Sequence, residues 1–348
     1  MQIIRFCSLS LRNILATALI GLAWICPLAL AGTVEPPLHM LFSDKNRLVV
    51  GTVSEINPPN RIVFKREKVF GGHDDVPELV DLIADFPAMK NAEMGERYVF
   101  AYGLIERDKR APAGVVLNKK GATIITSLGL EPAMFRDTRD LRKILDASNT
   151  EEKRDSRALL DLLLKTLKRD DIQLRSLAAA QIALDADLGK LLDDKDRQQI
   201  RSVAANPETT TETRRVLLQA AFLYPSLYGT WWQPEAKEVL ATTPLDGYPE
   251  GAWDPTGLVL LAFGVVEKPE VQLPRDSLIR WLRSPQPLFR ERSLALIGNK
   301  FPDQEREMVE EVLNDPSLNA GSRTYLDDQM RRLDRQPPGN AAHEQGTE

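Results

Sequence analysis

Apolar and polar positions follow three different patterns along the chain. Residues 1–31 carry one apolar run, Ile14 to Ile25, behind a short leader with Arg5 and Arg12, and close on Pro27-Leu28-Ala29-Leu30-Ala31. Basic, then apolar, then small residues predict a secretory signal cleaved after Ala31, because Ala29 and Ala31 sit where a signal peptidase needs small side chains; a retained anchor and a lipoprotein signal at Cys26 are the competing readings. From residue 48 to about 126 the apolar residues come in short, β-branched or aromatic stretches broken by turn formers such as Asn57-Pro58-Pro59-Asn60 and Gly71-Gly72. Strands are expected at 48–56, 61–70, 97–106, 114–117 and 122–126. Several short strands in about 100 residues predict a small antiparallel barrel or sandwich.

After Met134 the spacing changes to three and four and holds to about residue 333. Leu159, Leu160, Leu163, Leu164 and Leu167 fall on one stripe of a helix, with Asp161, Lys165 and Lys168 facing away. About ten helices are expected. Asn149 with Glu152, and Thr209 with Glu212, have the residue types and offset of capping boxes. Within this half Arg175-Ser176-Leu177-Ala178, Arg215-Val216-Leu217-Leu218 and Arg292-Ser293-Leu294-Ala295 recur at offsets of 40 and 77. Roughly one and two periods of about 40 residues are the length of a helix-pair repeat, whose single apolar face is buried only by stacking on neighbours; an irregular helical domain is the alternative. Residues 336–348 lack apolar periodicity and are expected to be disordered. The layout read from the sequence is a signal peptide at 1–31, a β domain at 32–135, an all-α domain at 136–335 and a tail at 336–348.

Three segments carry a family likeness: Leu48-Val49-Val50-Gly51-Thr52-Val53, Val63 to Gly72, and Met94-Gly95-Glu96-Arg97-Tyr98-Val99-Phe100. Together they resemble the netrin-like OB-fold domain related to tissue inhibitors of metalloproteinases, over roughly residues 45 to 105. The resemblance implies an OB-like antiparallel β-barrel and the bacterial pattern of such domains in exported proteins. That family inhibits through an amino-terminal cysteine whose thiol and α-amine chelate the protease zinc. Here Gly32 would take that place, so the inhibitory mechanism does not carry over. The helical half resembles HEAT repeats, which implies a protein-binding scaffold.

Composition narrows the chemistry. Of 348 residues 43% are hydrophobic and 27% charged, enough for packed cores. Both cysteines, Cys7 and Cys26, lie in the leader, so the mature protein would have no disulfide, which suits a periplasmic location and a chain large enough to rely on burial. Removing Arg5 and Arg12 moves the net charge from −5 to −7. Residues 32–135 hold 13 Lys or Arg against 14 Asp or Glu, so the basic strand Arg61-Ile62-Val63-Phe64-Lys65-Arg66 is read as a solvated face and no nucleic-acid partner is expected.

His73-Asp74-Asp75 is too short to make a metal site, and Asp193-Asp194-Lys195-Asp196 lacks the glycine and closing glutamate of a calcium loop, so it is read as a helix start. No Gly-x-Ser-x-Gly elbow or phosphate loop occurs. Catalytic residues, metal and cofactor are all predicted to be absent. The stretch from 224 to 253 stands out, with Tyr224, Tyr228, Trp231, Trp232, Tyr248 and Trp253 interleaved with glycine and proline. Such aromatics anchor peptides or stack on sugars, or else plug the helix pairs. The sequence thus predicts a periplasmic or secreted, non-enzymatic interaction protein with no membrane span after cleavage, binding a protein or peptide through those six aromatics. The alternative is a cell-wall carbohydrate binder or weak glycoside hydrolase that uses the same stretch with Asp246, Glu250 and Asp254.

Overall fold

A computed structural model describes residues 35–104, 122–124 and 132–335. The signal at 1–31, the strand expected at 114–117 and the tail at 336–348 lie outside the described residues. A short helix α1 (Pro37–Leu41) leads into strands β1 (Asn46–Asn57), β2 (Arg61–Val69) and β3 (Leu79–Ile83), helix α2 (Phe86–Asn91), and strands β4 (Arg97–Leu104), β5 (Ala122–Ile124) and β6 (Met134–Arg136). The pairings run β1–β2–β3–β5–β4 and return from β4 to β1, which closes a five-stranded barrel. All are antiparallel except β3–β5, and β6 adds to the outer side of β4.

The twelve-residue β1 pairs with β2 and β4 at once, and two register shifts, at Val50/Gly51 and Val53/Glu55, bend it around the barrel. Gly51 makes the first bend possible. A Cβ there would lie 2.9 Å from the Lys65 carbonyl oxygen and 3.2 Å from the Phe100 ring. Alternation along the strands then sorts the side chains. Val49, Val53, Ile62, Phe64, Tyr98, Phe100 and Tyr102 fill the barrel, with the Phe64 and Phe100 rings stacked at 4.0 Å. The opposite faces of β1, β4 and β6 are apolar as well: Leu48, Val50, Val99, Ala101 and Phe135 join Leu38, Leu41, Leu141 and Ile144 in the core of the helical half.

Beyond the barrel follow α3 (Arg139–Asp146), α4 (Glu151–Arg154), α5 (Arg157–Thr166), α6 (Ile172–Leu184), α7 (Ala186–Lys190), α8 (Asp194–Ala205), α9 (Thr211–Leu223), α10 (Pro225–Tyr228), α11 (Trp232–Thr242), α12 (Thr256–Val266), α13 (Arg275–Leu282), α14 (Pro287–Lys300), α15 (Glu305–Leu313) and α16 (Ala320–Leu333). No helix among the described residues is long and apolar enough to cross a membrane. The longer helices form pairs: α5 with α6, α8 with α9, α11 with α12, α13 with α14, and α15 with α16. The second helices α6, α9, α12 and α14 pack in series, as do α5 with α8 and α13 with α15 among the first. The β-then-α order follows the sequence reading, and three details depart from it. Met134–Arg136 is a strand, so the β part runs one residue past the expected boundary at 135, because its apolar pair completes the cover over β4. Among the described residues fourteen helices follow the barrel where about ten were expected, since one-turn pieces such as α4, α7 and α10 are too short for periodicity to reveal. The helix caps fall one residue later than expected, on Thr150 and Thr210, while Asp193 with Asp196 makes the capping box.

Candidate functional site

The aromatic stretch is split by the fold. Tyr228, Trp231 and Trp232 are 1%, 8% and 6% exposed, so half of the expected binding patch is core. The Tyr228 hydroxyl donates to the Ile182 carbonyl at the end of α6, and Trp231 Nε1 donates to the Tyr228 carbonyl at 2.9 Å. Burial pushes the Tyr228 hydroxyl far above its ordinary value. Trp232 packs edge-on against Phe222, with the Lys268 ammonium over both rings. These residues fill the step between successive helix pairs, where α10 replaces a regular turn. Tyr248 is half-buried beside Phe289, its hydroxyl donates to the Pro244 carbonyl, and burial pushes that hydroxyl up to about 12.

Only Tyr224 and Trp253 are exposed, at 48% and 38%. They sit at opposite ends of α9: Tyr224 caps its C-terminus, while the Thr211 hydroxyl in its first turn bonds the Ala252 and Asp254 carbonyls. A thirteen-residue helix separates them by roughly 20 Å. The six aromatics therefore make no common surface. Asp246, Glu250 and Asp254 are exposed as well.

The side chains that do converge lie on one edge of the row α6–α9–α12 and at the junction with α1. The edge is fixed by helix starts: Ser176 Oγ meets Thr213 Oγ1 between the first turns of α6 and α9, and the Arg215 stem lies against Gly257 at the start of α12. Ile172, 39% exposed, and Trp253 flank this edge. Beside Ile172 is an open groove lined by Thr138, Asp140, Lys168, Arg169, Asp170, Asp171 and Leu174.

At the junction, the Leu38 amide donates to Gln181 Oε1 at 2.8 Å, and Gln181 Nε2 donates to Asp185 Oδ2 at 2.8 Å. Asp185 Oδ1 accepts from the amides of Asp187 and Leu188 and so starts α7. Its carboxyl is 4% exposed, and burial pushes its pKa up despite those bonds. His39 of α1 and Asp155, which ends α4, complete the group: one ligand atom from each of His39, Asp155 and Asp185 lies within 4.8 Å of the others.

No family model, curated protein or solved structure matches the chain. The geometry is thus the guide to function. His39, Asp155 and Asp185 are 116 and 30 positions apart in sequence, and no spacing rule joins them. The sequence held a weaker signal for Asp185 alone: an acid directly before the short apolar run of α7 is a helix-capping residue. In His73-Asp74-Asp75, the Asp75 carboxylate pairs with Arg47 at 2.8 Å. Asp193-Asp194-Lys195-Asp196 does open a helix, as expected from its charge.

Proposed function

We propose that the protein is an exported, non-enzymatic scaffold of the bacterial cell envelope that holds a protein or peptide partner along its helical half. The observation that carries this reading is a ladder of side-chain ties between successive helix pairs. Arg157 pairs with Asp196, Thr211 bonds the Ala252 carbonyl, Trp281 Nε1 bonds the Leu240 carbonyl and Ser322 Oγ bonds the Ser284 carbonyl, at sequence separations of 39, 41, 41 and 38 residues. The spacing supports a HEAT-like array, and Arg175, Arg215 and Arg292 all fall in second helices, α6, α9 and α14. Extended arrays of this kind expose continuous surfaces suited to long partners. The closed order β1–β2–β3–β5–β4 with a parallel β3–β5 pair supports an OB-like reading of the barrel. The basic, apolar and small order of residues 1–31 supports export.

The edge bearing Ile172 and Trp253 is the assigned contact surface, in place of the six-aromatic patch. Ile172→Ser combined with Trp253→Ala should cut capture of partners by cross-linking in an envelope fraction at least about tenfold, since exposed aromatic and aliphatic anchors dominate such interfaces. Helical content should not change. Full capture by the double variant would sink this reading, as would saturable binding of soluble wall glycans that quenches tryptophan fluorescence.

A further inference from the structure

We infer that His39, Asp155 and Asp185 form a binding site for one divalent transition-metal ion, with zinc and manganese the best matches to one imidazole and two carboxylates. Three observations carry it. His39 Nδ1 is fully covered and has no hydrogen-bond partner. It faces Asp185 Oδ2 at 3.9 Å, beyond hydrogen-bond reach. Ligand atoms about 2.0–2.1 Å from a shared tetrahedral ion stand about 3.3 Å apart, so closure needs shifts of roughly 0.6 to 1.5 Å. Asp155 is exposed and free to supply most of that movement.

The second observation is charge. Neither Asp155 nor Asp185 is within 4.0 Å of a lysine or arginine among the described residues, whereas the buried Asp196 and Glu235 pair with Arg157 and Arg214. Two carboxylates therefore face each other beside an imidazole without an ion pair of their own, the nearby Lys190 being paired with Asp187. The third is how Asp185 is held: two backbone amides take Oδ1 and Gln181 takes one side of Oδ2, which fixes the carboxylate and leaves an oxygen lone pair toward His39. The three residues come from the segment before the barrel, from the end of α4 and from the α6–α7 turn, so a bound ion would clamp the entry of the chain to the first helix pair. Three protein ligands leave at least one coordination position for water.

The test uses the full chain stripped by a chelator and titrated separately with zinc chloride and manganese chloride, by calorimetry and thermal denaturation. One equivalent of at least one ion should bind, and a hundredfold excess over Kd should raise Tm by about 4 °C. His39→Ala should abolish that binding. Asp155→Asn, at an exposed position, should weaken it about tenfold or more while leaving the metal-free Tm unchanged. No saturable binding of either ion up to millimolar concentration would overturn the site. So would a one-equivalent site that survives both substitutions.

Discussion

Single side chains decide how the two halves meet. Asp137, in the turn between β6 and α3, has a side chain only 1% exposed and is gripped by Arg97 from β4 and Arg142 from α3. The Arg142 guanidinium, more than the other neighbours, holds its carboxyl below the ordinary aspartate value of 3.8. A depressed folded pKa means that this interaction stabilises the protein above the unfolded value and is lost as pH falls through the folded one. Asp137→Asn should therefore unfold in urea with about 1–3 kcal/mol less stability at pH 7. The difference should shrink as pH drops below 3.8. A difference that stays constant from pH 7 to pH 3 would exclude the ion pairing as its cause. Asp185 and Glu235 run the other way: burial raises both, so each favours the folded state more as pH falls toward the ordinary carboxylate range.

At the level of elements, capping and close approach set the boundaries. Ser156, Asp171, Asp193, Thr210 and Asn319 each accept from a backbone amide of the first helical turn, which explains why α5, α6, α8, α9 and α16 begin where they do. In the barrel, β1 depends on the bare Cα of Gly51. Gly51→Ala should cost about 1–3 kcal/mol, because the new methyl meets backbone at Lys65 and an aromatic ring that is itself stacked. Chemical denaturation would show this as a lower midpoint. An unchanged midpoint would mean that the bulge, not the glycine, carries the bend. Strands β3 and β6, which the sequence pattern does not predict, have five and three residues, too few for alternation to rise above chance.

For the whole molecule, the barrel is not a separate bead. Its outer face contributes Leu48, Val50, Val99, Ala101 and Phe135 to the core that continues through the helix pairs, and Arg97 with Asp137 ties the seam. A barrel interior joined to the helical core through this shared face predicts one transition. Far-ultraviolet circular dichroism and tryptophan fluorescence, which reports Trp231, Trp232, Trp253 and Trp281 in the helical half, should melt at the same temperature as the methyl resonances of Val49, Val53 and Ile62 inside the barrel. Separate transitions would show that the seam is too weak to couple them. The order of architectures was legible in the sequence, because period-2 and period-3.6 spacing are local and survive in the chain without its fold: short β-branched stretches before Met134, leucine stripes after it, and an arginine echo at the helix-pair length. Barrel closure, the burial of Tyr228, Trp231 and Trp232, and the meeting of His39 with Asp155 and Asp185 were decided only in three dimensions. Each depends on which distant segments come into contact, and burial of an aromatic or convergence of ligands is a property of those contacts that no local spacing encodes.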